Sequence, residues 1–345
     1  MPTLYVTEPG AVVRRSAGSI VVTVDKDPDG AGPKPERRHR LIEVEPHRLE
    51  LISLVGRTHI TSDATRLCLE QGIAVAWFRA NGDFVGRLVP ELSRTADLRL
   101  AQFRMVTDER RALLLAQTFV SAKLHNAAGV LTALRSNRRG EPALGRAIGD
   151  LKALVETVSE ASSRDTLMGF EGDAARRYFA GLRLGFTGDI DFTSRARRPP
   201  PDPANALLSF GYVLLANALA SLLEARGLVP YLVFMHTVRS GRPSLALDLL
   251  EELRHPVVDR FVLRVCNLRQ LRPGHFASDP ERGGVRLTRD GLRTFFRAWE
   301  AFMDAPLPGI EEEISPEDLL RRQADRLAAH VRGREPYQPL LLRHS

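Results

Sequence analysis

The chain has 345 residues, 43% hydrophobic and 26% charged, the balance of a folded protein long enough for two domains. Its two cysteines, Cys68 and Cys266, lie in apolar periodic segments as packing thiols, and no Cys-x-x-Cys pair exists, which excludes a zinc finger or an iron–sulfur cluster. A net charge of +7 and a pI of about 9.9 permit phosphate neutralisation on a nucleic acid, although an Arg-rich, high-GC bacterial composition gives the same balance.

The opening MPTLYVTEPGAVVRR lacks the basic start and apolar stretch of a signal peptide. The first ninety residues then read mostly as strand. Thr3–Thr7, Val12–Arg15, Ser19–Val24, Leu41–Val44 and Leu49–Leu54 are short runs rich in Val, Ile and Leu. Asp25–Arg40 is a polar, Pro/Gly-rich loop. Ser62 caps a helix that runs through Gln71 and stops at Gly72. Ile73–Phe78 and Phe84–Val89 flank the hairpin turn Ala80-Asn81-Gly82-Asp83. After Pro90 the period becomes helical: Leu98–Leu134, Gly140–Val158 and Asp165–Leu182.

Gly188–Asn205 is a basic, proline-rich crossing loop. The apolar run Ala206–Leu223 is broken by Ser209, Gly211, Tyr212, Asn217 and Ser221 and reads as part of a buried core helix stopped by Gly227, not a membrane span. A helix capped at Ser244 is interrupted by Pro256 before Val257–Leu268, and Ser315–Arg332 is a last amphipathic helix with Pro316 in its first turn. The fold class is therefore α+β: a small N-terminal β-rich domain, 1–92, followed by a larger all-α domain, 93–345. With neither leader nor span, the expected location is the cytoplasm.

Glu171 is the anomaly. Leu167, Phe170, Ala174 and Tyr178 make one apolar stripe on a helix, and Glu171 falls on it. An unpaired buried carboxylate costs several kcal/mol, so this one is neutralised, ion-paired (with Arg177 or a neighbour) or bound to a metal. Partners of suitable chemistry lie in Met235–Pro256. His236 follows the apolar run Tyr231–Met235. Leu245, Ala246, Leu249, Leu250 and Leu253 form the buried stripe of the next helix, while Asp248 and Glu251 project together from another side and Glu252 flanks them. Two carboxylates, an imidazole and a distant Glu suit magnesium or manganese. Each piece also has an ordinary reading, a solvated acidic face or a hydrogen-bonded core histidine, and spacing does not join them.

Longer patterns do. GFEGDAARRYF (Gly169–Phe179), NALLSFGYVLLANAL (Asn205–Leu219), GLVPYLVFMHTVRSGRPSLALDLLEELRHPVVDR (Gly227–Arg260) and the terminal YQPLLLR (Tyr337–Arg343) resemble, in order and nearly end to end, the CRISPR-associated adaptation integrase family, Cas-one, in its stand-alone form. The resemblance implies that Glu171, His236 and Glu251 are ligands of a catalytic Mg2+ or Mn2+. It places Asp248 at an additional acidic position, orienting the ligands or supporting a second ion. It implies a metal-dependent DNA integrase and endonuclease in which a 3′-hydroxyl of prespacer DNA attacks a phosphodiester at the leader–repeat junction. The implied partners are double-stranded DNA, a second copy paired through the β-rich domain, and the small ferredoxin-like companion Cas-two. Arg135, Arg138, Arg139, Arg195, Arg197 and Arg198 are the candidates for contact with the DNA backbone. Two alternatives stand beside this: a related transposase-type integrase of a mobile element, and a non-catalytic DNA-binding scaffold.

Overall fold

The computed structural model describes residues 3–25, 38–80, 82–90, 95–137, 141–196, 199–235, 242–279 and 283–343. The chain forms two compact units, Met1–Ser93 and Arg94–Ser345.

In the first unit the Val/Ile/Leu runs build two four-stranded sheets. One has the order β1 (Thr3–Val6), β5 (Leu51–Val55), β7 (Ala74–Phe78), β8 (Phe84–Leu88), with β1, β5 and β7 parallel and β8 antiparallel to β7. The other has the order β4 (Arg38–Val44), β3 (Ser19–Asp25), β2 (Val12–Ser16), β6 (His59–Ile60). Side chains of alternating register, among them Ile20, Ile52, Leu54, Ile73 and Val75, pack with Cys68 of helix α1 (Ser62–Glu70) into one core.

Two local expectations change. The cap of α1 is Thr61, whose hydroxyl accepts from the Ala64 N–H at 3.4 Å, and Ser62 is the first helical residue. Strand β4 begins at Arg38 rather than Leu41, because β3 extends far enough to pair Asp25 with Arg38; residues 26–37 of the expected loop lie outside the described residues. The β7–β8 hairpin is present, with the Arg79 N–H donating to Asp83 O at 2.8 Å, while Asn81 of its turn lies outside the described residues.

The second unit is built on α2 (Ala96–Thr107), α3 (Glu109–Asn137), α4 (Pro142–Val158), α5 (Arg164–Arg183), α6 (Pro203–Ala225), α7 (Ser244–Leu253), α8 (Arg260–Asn267), α9 (Arg289–Asp304) and α10 (Pro316–Val331). The helix expected over Leu98–Leu134 is two helices, divided at Asp108, whose Oδ1 accepts from the Arg111 N–H at 3.0 Å. The unit is not all-α, since β9 (Phe276–Ser278) and β10 (Val285–Leu287) form a short antiparallel pair. Helix α6 is apolar and long enough to cross a membrane, but it is buried within the unit on nearly every side, so its apolarity is that of a core helix. Gly227 ends it at φ +88°, where an added Cβ would lie 2.2 Å from Thr95 Cγ2.

Pro256 does not break the path. One wide π turn, Arg254–Asp259, joins α7 to α8. Proline has no N–H for the carbonyl four residues back, that of Glu252. Asn126 on α3 supplies the missing donor: its Nδ2 donates to Glu252 O at 2.8 Å. The same side chain donates to Leu340 O at 2.9 Å and accepts from the Leu342 N–H at 2.8 Å, fastening the C-terminal tail to α3.

Candidate active site

Three helices of the second unit meet at one ammonium group. Lys123, on α3, has only 2% of its side chain exposed and sits among buried Phe119, Val120, Leu124 and Ala127. Glu171 on α5 and Glu251 on α7 both pair with its Nζ, Glu171 through Oε1 and Glu251 through Oε2 at 2.5 Å. Two carboxylate oxygens therefore lie within two hydrogen-bond lengths of each other. Helix α5 is held in register by Ser163, whose hydroxyl accepts from the Thr166 N–H at 3.1 Å, and by buried Leu167, Ala174 and Tyr178. Glu171 is on that buried side, with 13% of its side chain exposed. Its partner is Lys123; Arg177, the partner considered from the sequence, bonds Asp173 and Asp150 instead.

Helix α7 is buried all round, which corrects the expected division into an apolar stripe and an acidic side. Glu251 also accepts from Arg254 Nη1, at 3.1 Å on Oε1 and 2.8 Å on Oε2. The Arg254 guanidinium lies over the Tyr212 ring, 4.6 Å from its centroid. Burial opposes the Arg254 charge, but Glu251 and neighbouring Tyr212 and Asp259 hold its pKa above the ordinary value. Asp248 is fully buried, and its Oδ2 accepts from the backbone N–H groups of Phe234 and Met235 at 2.8 and 3.0 Å. It thus fixes the segment that enters residue 236. Ser244 does not cap α7: the capping position is Pro243, and the Ser244 hydroxyl donates to Arg242 O at 3.3 Å.

Glu252, expected at a margin, is buried with Tyr337 OH and Gln323 Nε2 donating to its Oε1, both at 2.7 Å. Burial pushes its carboxyl up to about 7 against those bonds. Next to the site, Asp259 accepts from Tyr178 OH at 2.8 Å, from Tyr212 OH, and from His255 Nδ1 at 2.6 Å. Burial would raise the Asp259 pKa, but the bonds from His255 and the two tyrosines hold it below its ordinary value; burial keeps His255 below its own.

His236 lies outside the described residues, as do Arg138, Arg139, Arg197 and Arg198. Among the described residues no group of three or more His, Cys, Asp or Glu gathers as a metal cluster. What is described does fit a hard cation: two glutamates from different helices share one positive point, and oxygen donors suit Mg2+ or Mn2+. Arg135 is exposed near the end of α3. Arg195 is spent on the protein, donating to Asn205 Oδ1 at 2.9 Å and Ser209 Oγ at 3.0 Å.

The profile described as "CRISPR associated protein Cas1" matches residues 4–301. The chain belongs to the Cas1 family. A "CRISPR-associated endonuclease Cas1 3" of Thermus thermophilus is 32% identical over 343 residues, covering 99% of this chain and 97% of that one. A "CRISPR-associated exonuclease Cas4/endonuclease Cas1 fusion" of Geobacter sulfurreducens is 34% identical over 97% of this chain, which spans 59% of the fusion's length. Among solved structures, a "Casposase bound to integration product" shares the fold with a TM-score of 0.81 at 19% identity, covering 100% of this chain and 93% of that one. Within this Cas1 chain, Lys123 and Arg254 are the residues of the candidate site that sequence reasoning missed. Lys123, like Glu171, is a charge at a buried helix position.

Proposed function

We propose that this chain is a metal-dependent DNA integrase and endonuclease of CRISPR adaptation. It joins prespacer DNA to the CRISPR array by attack of a 3′-hydroxyl on a phosphodiester at the leader–repeat junction. The observation that carries this reading is the meeting of Glu171 and Glu251, from helices far apart in sequence, at one buried cationic point. A Mg2+ or Mn2+ held by these carboxylates and His236 would activate the attacking hydroxyl and neutralise charge on the phosphoryl group.

The residues of the chain do the positioning. Arg254 grips both oxygens of Glu251 and fixes its rotamer. Asp248 holds the amides of Phe234 and Met235, and so sets where the segment bearing His236 begins. The nucleophile belongs to the DNA, so the reaction requires no reactive side chain. Burial suits that: it pushes the thiols of Cys68 and Cys266 up to about 11 and about 12, leaving both inert. The working assembly is a homodimer paired through the β-rich unit, with Cas-two and duplex DNA as partners, in the cytoplasm. The relatives named as CRISPR-associated match over nearly all of this chain, which favours array insertion over transposition of a mobile element.

The test uses purified protein with Cas-two, a prespacer duplex and a leader–repeat plasmid. Glu171→Ala, His236→Ala and Glu251→Ala should each lower strand joining in Mg2+ or Mn2+ by more than about a hundredfold. Wild-type joining by Glu171→Ala removes the site assignment.

A further inference from the structure

A lysine ammonium in a protein interior is unfavourable by several kcal/mol unless it is paired. Lys123 has 2% of its side chain exposed, on a helix that also buries Phe119, Val120 and Ala127, and its described partners are the two carboxylates of the candidate site. Those carboxylates gain from it as well: Arg254 also pairs with Glu251, but Lys123 bonds both glutamates. Two ionised glutamates at this separation repel unless a positive charge lies between them. We infer that Lys123 is a tethered counter-cation: it holds Glu171 and Glu251 at the divalent-ion position while no ion is bound, and it competes with that ion for them. The inference rests on the metal-site reading above and adds a residue that sets the affinity of the site.

The chemistry gives the competition a direction. Nζ sits on the same oxygens a divalent ion would use, so the ion and the ammonium cannot both keep their full contacts there. A divalent ion therefore binds weakly to the protein alone. An incoming DNA phosphate changes the balance, because it offers the compact ammonium an anionic partner of its own. Lys123 can then leave the carboxylates as the ion takes its place. The lysine acts through Glu171 and Glu251, as a positioning residue, and couples ion loading to the arrival of DNA. Methionine at the same position keeps the length and apolar stem without the charge, so it separates electrostatics from packing.

Mn2+ binding measured by titration calorimetry on the full-length protein decides the matter. Lys123→Met should bind Mn2+ roughly tenfold more tightly than the wild type without DNA, as expected for removing one nearby unit charge from a partly screened site. Lys123→Arg, which keeps the charge, should stay within about threefold of the wild type. Adding a phosphodiester duplex should tighten Mn2+ binding by the wild type and do so less for Lys123→Met. Equal or weaker Mn2+ binding by Lys123→Met, with Glu171→Ala still abolishing it, overturns the role of the lysine and leaves the metal site standing. Mn2+ binding that survives Glu171→Ala unchanged overturns both. If Lys123→Met does not fold, Lys123→Gln carries the same test. A role confined to packing predicts weaker, not stronger, Mn2+ binding in either neutral variant.

Discussion

A buried carboxylate and a buried ammonium are each unfavourable alone, and the fold resolves both by placing them on facing helices. Asp248 has a different solution: its charge is satisfied by two backbone N–H groups, those of Phe234 and Met235. Asp248→Ala would leave both donors buried without that acceptor. The expected loss is about 2–4 kcal/mol of stability in urea unfolding, with strand joining falling in parallel. Asp248→Asn keeps an acceptor oxygen and should recover most of the stability; equal losses in the two variants would exclude the hydrogen bonds as the cause. The sequence disclosed Glu171 because a charge on a 3.6-residue apolar stripe is conspicuous. It concealed Lys123 for a physical reason: a lysine on such a stripe ordinarily extends its stem along apolar surface and puts the ammonium in water. Nor could it orient Asp248, because that depends on backbone fourteen residues earlier in the chain.

The π turn Arg254–Asp259 links the candidate site to the buried cluster beside it. It carries Arg254 to Glu251, and His255 and Asp259 to Tyr178 and Tyr212. Pro256 was legible as an interruption, but the repair by Asn126 was not, since nothing local links residue 126 to residue 252. The turn also makes stability depend on pH. Burial depresses the His255 pKa in the folded state below its ordinary 6.5. Below pH 6.5 the unfolded chain therefore takes a proton that the folded chain refuses. Stability contributed by neutral His255 is present above that pH and falls as the pH drops, by up to about 1.4 kcal/mol per pH unit. Asp259, also depressed, adds a further loss only as the pH falls below its ordinary 3.8. His255→Asn, which keeps a donor toward Asp259, should flatten the decline in urea-unfolding free energy between pH 7 and about pH 5. An unchanged slope would show that His255 titrates alike in both states.

Over the whole molecule, the change from strand to helix after residue 90 was plain in the sequence, because Val/Ile-rich runs gave way to long periodic segments. The division of the strands into two sheets was not, since the β1–β5–β7 and β2–β6 parallel pairings join segments that local pattern does not connect. Charge behaves similarly: the net +7 is a property of composition, but which arginines it serves is a property of structure. Arg135 is exposed, whereas Arg195 is bound to Asn205 and Ser209 and lies over the Tyr212 ring. Each phosphate neutralised contributes about 0.9 to the slope of log K against log salt on duplex DNA. Arg135→Ala should therefore lower the magnitude of that slope by about one when duplex binding is measured by fluorescence anisotropy across a salt series. Arg195→Ala should leave the slope unchanged and instead reduce thermal stability, because it removes the bonds tying the crossing loop to α6. The reverse pattern, a slope that responds to Arg195 and ignores Arg135, would mean that the crossing loop releases its arginine to the DNA on binding.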